Sequence, residues 1–119
     1  ATHILGSYDP DQKVLTIVKY NKPEEESEYV KAMWEIMDDP YNGDVINSYN
    51  DGKPDPDTDP LGPFYELETS SPVSELKPGE QIIHIHQTYH IQGDEVQLNH
   101  FTEKLFNAKL QNIKDAFIH

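Results

Sequence analysis

The sequence predicts a mainly β chain with antiparallel strands and a short helical C-terminal tail. Three observations lead there: β-branched and aromatic runs that alternate with period two, turn dipeptides between those runs, and a change to helical spacing after Gly93. At 119 residues the expectation is one domain over 1–119, with residues 94–119 as its helical tail. Apolar residues make up 35% of the chain, which is lean for a self-sufficient core. That leaves room for part of the core to come from a missing N-terminal portion or from a second chain.

The first element is a hairpin. The run THILGSY leads into Asp9-Pro10-Asp11-Gln12, whose residues favour a turn, and KVLTIVKY follows with strong strand propensity. Val14, Thr16, Val18 and Tyr20 fall on one face and Leu15 and Ile17 on the other, so this strand is expected to be covered on both sides. Lys22 to Ser27 reads as a charged, solvated connection. Tyr29 to Met37 fits either a helix (Val30, Met33, Trp34, Met37) or a strand (Val30, Ala32, Trp34, Ile36), and strand is the expectation. Trp34, the single tryptophan, is either a core anchor or a platform for a sugar ring.

Between Asp38 and Pro63 the composition shifts to Asp, Pro, Gly, Asn and Tyr. Asn42-Gly43 and Asp51-Gly52 are turn signals around a short VINSY strand, and a long ordered loop follows. Tyr41, Asn47, Tyr49, Asn50 and Asp51 are types that stack on or hydrogen-bond to a sugar, although Asn and Asp also cap their own turns. Asp55, Asp57, Asp59 and Glu66 have the spacing of a calcium loop. The sixth position is Pro60 where a glycine is needed, and neither flank reads as a helix, so calcium is not expected.

The stretch from Gly62 to Asp94 carries most of the chemistry. In FYELETS, Phe64, Glu66, Glu68 and Ser70 share one strand face, and Tyr65, Leu67 and Thr69 share the other. Two carboxylates side by side repel, and a poorly solvated one becomes a tuned general base. Lys77-Pro78-Gly79-Glu80 turns the chain into a long expected strand, Gln81 to Gln92, with His84, His86 and His90 on one face. Such a face could hold a divalent metal or be merely the polar side of an amphipathic strand. A cupin-like metal-binding β domain is weighed on the same residues, but Gly79 stands one residue too near His84 and the glutamate expected after His86 is absent.

After Gly93, Asp94 caps a helix whose face is expected to be Leu98, Phe101 and Leu105. A second short helix with Leu110, Ile113 and Phe117 follows, covering an edge or end of the sheet.

The charge excludes some partners. The net charge is −13, with 22 acids against nine basic residues, all of them lysine, so neither nucleic acid nor an anionic membrane is an expected partner. With no cysteine, thiolate chemistry and disulfides are excluded, and the compartment stays open between soluble, periplasmic and secreted.

Leu67-Glu68-Thr69, a Ser-Pro loop, Leu76-Lys77-Pro78-Gly79-Glu80 and then His84 to Thr88 follow the order of a strand, turn and strand in another family. Over these residues the chain resembles the carboxy-terminal part of a bacterial galactose mutarotase-like (aldose 1-epimerase-like) protein. The resemblance implies an antiparallel β-sandwich of galactose mutarotase type, present here in part, binding carbohydrate with no required cofactor. It implies Glu68 as the base that takes a proton from the anomeric hydroxyl. Glu66 is not implied by it and stands as a weaker local candidate, as do His84 and His86 for the missing acid. The family's glutamine after Glu-Thr is Ser70 here, and its acid-supplying histidine segment has no counterpart.

Three functions are therefore expected in competition. They are a sugar epimerase or mutarotase acting at the anomeric centre through Glu68, a non-catalytic carbohydrate-binding module using Trp34, Tyr41, Tyr49 and Asn50, and a metal site at His84, His86 and His90.

Overall fold

The computed structural model describes residues 3–21, 27–33, 35–53 and 55–115. Among them are the strands β1 (Ile4–Asp9), β2 (Val14–Tyr20), β3 (Ile46–Asn50), β4 (Tyr65–Thr69) and β5 (His86–Gln92), followed by the helices α1 (Glu95–Phe106) and α2 (Leu110–Lys114). All the strand pairs are antiparallel, in a sheet of order β1-β2-β5 and a second sheet made of β3 and β4. The chain is thus mainly β with a short helical C-terminal part, as its sequence predicts. It divides into two compact units, residues 22–85 and residues 2–21 with 86–119.

The unit formed by the two ends of the chain begins with the predicted hairpin. Asp9 Oδ1 accepts hydrogen bonds from the backbone of Asp11 and Gln12 at 2.9 and 3.0 Å, and Lys13 takes a left-handed φ of 52° to close the turn. β2 then lies centrally, with Leu15 opposite both Tyr8 and Ile91 and Ile17 opposite Gly6 and Tyr89. Leu15, Thr16, Ile17, Val18 and Tyr20 are all buried, so both faces of this strand are covered as its two apolar faces require.

Helical residues cover one of those faces. Leu98 and Leu110 join Leu15 and Ile17 in a buried cluster, with Ile4, Tyr8, Ile91 and Phe106 packed against it. Gly6 permits this approach, because a Cβ there would lie 2.8 Å from the Thr16 carbonyl and 3.0 Å from the Phe106 ring. Asp94 caps α1 by accepting from the Gln97 amide, and Asn107 ends it in the left-handed region at φ 52°. Asn99 Oδ1 accepts from the Leu110 amide at 2.9 Å and so ties the two helices together.

Four expectations need correction. The buried stripe of α1 is Leu98 and Thr102, with Phe106 half-buried, whereas Phe101 and Leu105 are exposed. Spacing of four fits this stripe, and the helices lie on a sheet face rather than at an edge. The expected strand over Tyr29 to Met37 is absent from its described residues. Tyr29 makes one isolated bridge to Asn42, and the backbone is satisfied instead by Lys31 N to Pro40 O (2.9 Å) and Gly43 N to Tyr29 O (2.8 Å). Val30, Met33 and Ile36 are exposed, so among the described residues neither period buries a face.

The third correction concerns the histidine strand, which begins at His86 and not at Gln81. Its ladder to β2 runs from Val14↔Gln92 to Tyr20↔His86 and stops where β2 stops. The fourth concerns Gly43, whose role is close approach: a Cβ there would collide with the Val30 carbonyl and lie 2.7 Å from Lys31 N. The Pro-Gly turn is as predicted. Glu80 N donates to Lys77 O at 3.0 Å across Pro78 and Gly79, and Gly79 has φ 90°, the geometry of a type II turn.

Candidate functional site

The residues of greatest chemical interest lie on the β3–β4 pair, in the unit of residues 22–85. Register sets Asn47 opposite Glu68 and Tyr49 opposite Glu66. Because side chains alternate along a strand, these four share one face with Phe64, while Ser48, Asn50, Tyr65, Leu67 and Thr69 belong to the other. The first face opens into a cleft of about 600 Å³, lined by Ala32, Asn47, Tyr49, Leu61, Phe64, Glu66 and Glu68.

Two ends of the cleft differ in chemistry. At one end the Tyr49 and Phe64 rings lie 5.8 Å apart and tilted by 31°, a favourable aromatic geometry. Toward the other, Asn47 Nδ2 donates to Glu68 Oε2 at 2.9 Å, a charge-assisted bond that fixes one carboxylate. Between them sits Glu66. Its hydrogen bond with Glu68, then burial and the charge of Glu68, hold its carboxyl above the usual carboxylate range.

The rim is built by Asp51. Its Oδ1 accepts from the Leu61 amide and the Tyr49 hydroxyl, each at 3.0 Å, and its Oδ2 accepts from the Gly62 amide. The Asp51 amide donates in turn to Phe64 O at 3.3 Å. Desolvation pushes the Asp51 carboxyl up, but the bonds from Gly62, Leu61 and Tyr49 outweigh it and the net position lies below the usual range. The bond to Asp51, followed by desolvation and the charges of Asp51 and Glu66, raises the Tyr49 hydroxyl above its ordinary value. Farther round the loop, Asp55 accepts from the Asp57 amide at 2.9 Å and the Thr58 hydroxyl at 2.7 Å, so its carboxylate caps a turn.

Of the residues singled out in the sequence, Glu66, Glu68, Asn47 and Tyr49 come together here, and Asp51 supports them. Asn50 belongs to the opposite strand face, opposite Tyr65. Tyr41 is half exposed and does not line the cleft, and Trp34 lies outside the described residues. The three histidines bond to different hydroxyls. His84 Nε2 is hydrogen-bonded with the hydroxyl of Thr69 at 2.8 Å, on the β4 face opposite Glu68. In β5, His86 Nε2 is hydrogen-bonded with the Thr88 hydroxyl (3.1 Å) and His90 Nδ1 with the Thr16 hydroxyl (3.0 Å). Among the described residues no three His, Asp or Glu side chains are grouped so as to hold a metal ion. Leu61 and Ala32 were not foreseen, since nothing local marks a loop residue as the wall of a distant strand pair.

No helix among the described residues is long and apolar enough to cross a membrane. No curated protein and no solved structure matches the chain. A family model does match, over residues 1–117, and the chain belongs to that family, DUF6786, a family of unknown function.

Proposed function

We propose that the β3–β4 cleft binds carbohydrate. The observation that carries this reading is the placing of two aromatic rings and two carboxylates, one oriented by an amide, along a single open strand face. A pyranose offers an apolar C–H face to rings such as Tyr49 and Phe64, and hydroxyls to acceptors such as Glu66 and Glu68. The setting proposed is the mutarotase-type sandwich, with further strands drawn from additional sequence or a second chain. Titration of the protein with a panel of monosaccharides, followed by calorimetry or by amide shifts in NMR, tests it. Saturable binding that weakens about three- to tenfold in Tyr49→Ala or Phe64→Ala is expected. Absence of saturable binding across the panel removes the reading.

A second reading is catalytic, and the Glu66–Glu68 contact favours it. Two carboxyls sharing a proton offer one group that accepts and one that donates. Glu68 takes the proton of the anomeric hydroxyl, the bond from the anomeric carbon to the ring oxygen breaks, and the ring oxygen receives a proton from Glu66. Rotation and the reverse transfers reclose the ring as the other anomer. Glu68→Gln is expected to abolish accelerated anomer interconversion measured by polarimetry. A rate in the intact protein no faster than in buffer leaves only the binding reading.

A further inference from the structure

The lining of the cleft is one-sided in charge. Glu66 and Glu68 line the same space, Tyr49 stands directly across the register from Glu66, and Phe64, just before β4, lines it too. Asn47 is the remaining polar side chain, and among the described residues that line the cleft none is basic. Lys53, in the neighbouring loop, is 3.7 Å from Asp59 and is not part of the lining. Two aromatic rings and two carboxylate groups therefore line one space, and each can attract a cation: a ring presented face-on through its quadrupole, an acid through its charge. A ligand with an anionic substituent meets repulsion from both acids.

We infer that the cleft selects a sugar carrying a free amine, its ammonium group seated between the Glu66–Glu68 carboxylates and the Tyr49 ring. This rests on the carbohydrate reading of the same cleft and adds the chemical class of the sugar. The ammonium donates to carboxylate oxygens, and the pyranose face turns toward Phe64 and Tyr49. The Glu66 carboxyl is raised first by its hydrogen bond with Glu68, then by burial and by the charge of Glu68, and a bound cation relieves the last of these. N-acetylation removes the charge, and a carboxylate substituent reverses it.

The test titrates the protein at neutral pH and low salt with glucosamine, N-acetylglucosamine, glucose and glucuronate. Glucosamine is expected to bind about five- to tenfold more tightly than glucose, with glucuronate weakest. That margin shrinks as salt is raised, because the selecting charges are exposed. In Glu66→Gln the ratio of glucosamine to glucose affinity falls toward one, and circular dichroism establishes that the variant is folded. Equal affinity for glucosamine, N-acetylglucosamine and glucose overturns the inference and leaves carbohydrate binding standing. No binding of any of the four overturns both.

Discussion

Asn47 holds Glu68 across the β3–β4 register, its amide donating to Oε2 at 2.9 Å. The bond orients one carboxylate of the acidic pair toward the amide. Asn47→Ala is expected to cost about 1 kcal/mol of stability and to weaken sugar binding along with it. Asn47→Asp is expected to be worse than Ala, since it sets a third carboxylate against the pair. Chemical denaturation with parallel sugar titration checks both.

Glu66 gives a pH signature of defined sign. Its carboxyl is raised in the folded state by Glu68, so the fold penalises its charged form. The penalty is complete above the raised folded value, and it is relieved as pH falls through that value toward the ordinary one. Glu66→Gln is expected to increase stability near neutral pH, with the gain disappearing in acid. Thermal unfolding of both proteins across an acid-to-neutral series measures it; a gain that persists in acid would show that the charge is not its cause.

Two glycines separate packing from flexibility. Gly43→Ala forces a Cβ into the Val30 carbonyl and is expected to destabilise by about 1–3 kcal/mol. Gly52→Ala meets nothing within 4 Å and is expected to be neutral, or to stabilise by about 0.4–1 kcal/mol through the unfolded chain. Their midpoints in denaturant should therefore move in opposite directions or differ by the cost of the first.

On α1 the corrected stripe is open to direct measurement. Leu98 is fully buried, and Leu98→Ala is expected to cost about 2–5 kcal/mol. Phe101 is 40% exposed, so Phe101→Ala should cost distinctly less despite removing a larger side chain. A reversed order would restore the face expected from the sequence.

What the sequence made legible was local. The Asp9 turn, the Pro78-Gly79 turn and the Asp94 cap each depend on bonds within three residues, and their residue types announce them. The acidic strand face was legible because period-two alternation alone puts Glu66 and Glu68 together. The extent of β5 was not, because its beginning is set by the last residue of β2 rather than by its own propensity. Tyr29 to Met37 satisfied two periodicities at once, and neither governs, since the turn at Pro40 takes the backbone bonds. The association of His84 with Thr69 depended on where a loop runs, which no spacing encodes.

The Asp51 carboxylate fastens the start of the loop, at the end of β3, to Leu61 and Gly62 near its close. The described residues between those fastenings neither line the cleft nor form either strand, and Asp55 folds its own turn among them. The intervening segment can therefore change in length and sequence while the strand face that lines the cleft keeps its shape. It is a natural place to graft a peptide tag or a fluorescent reporter without disturbing the cleft.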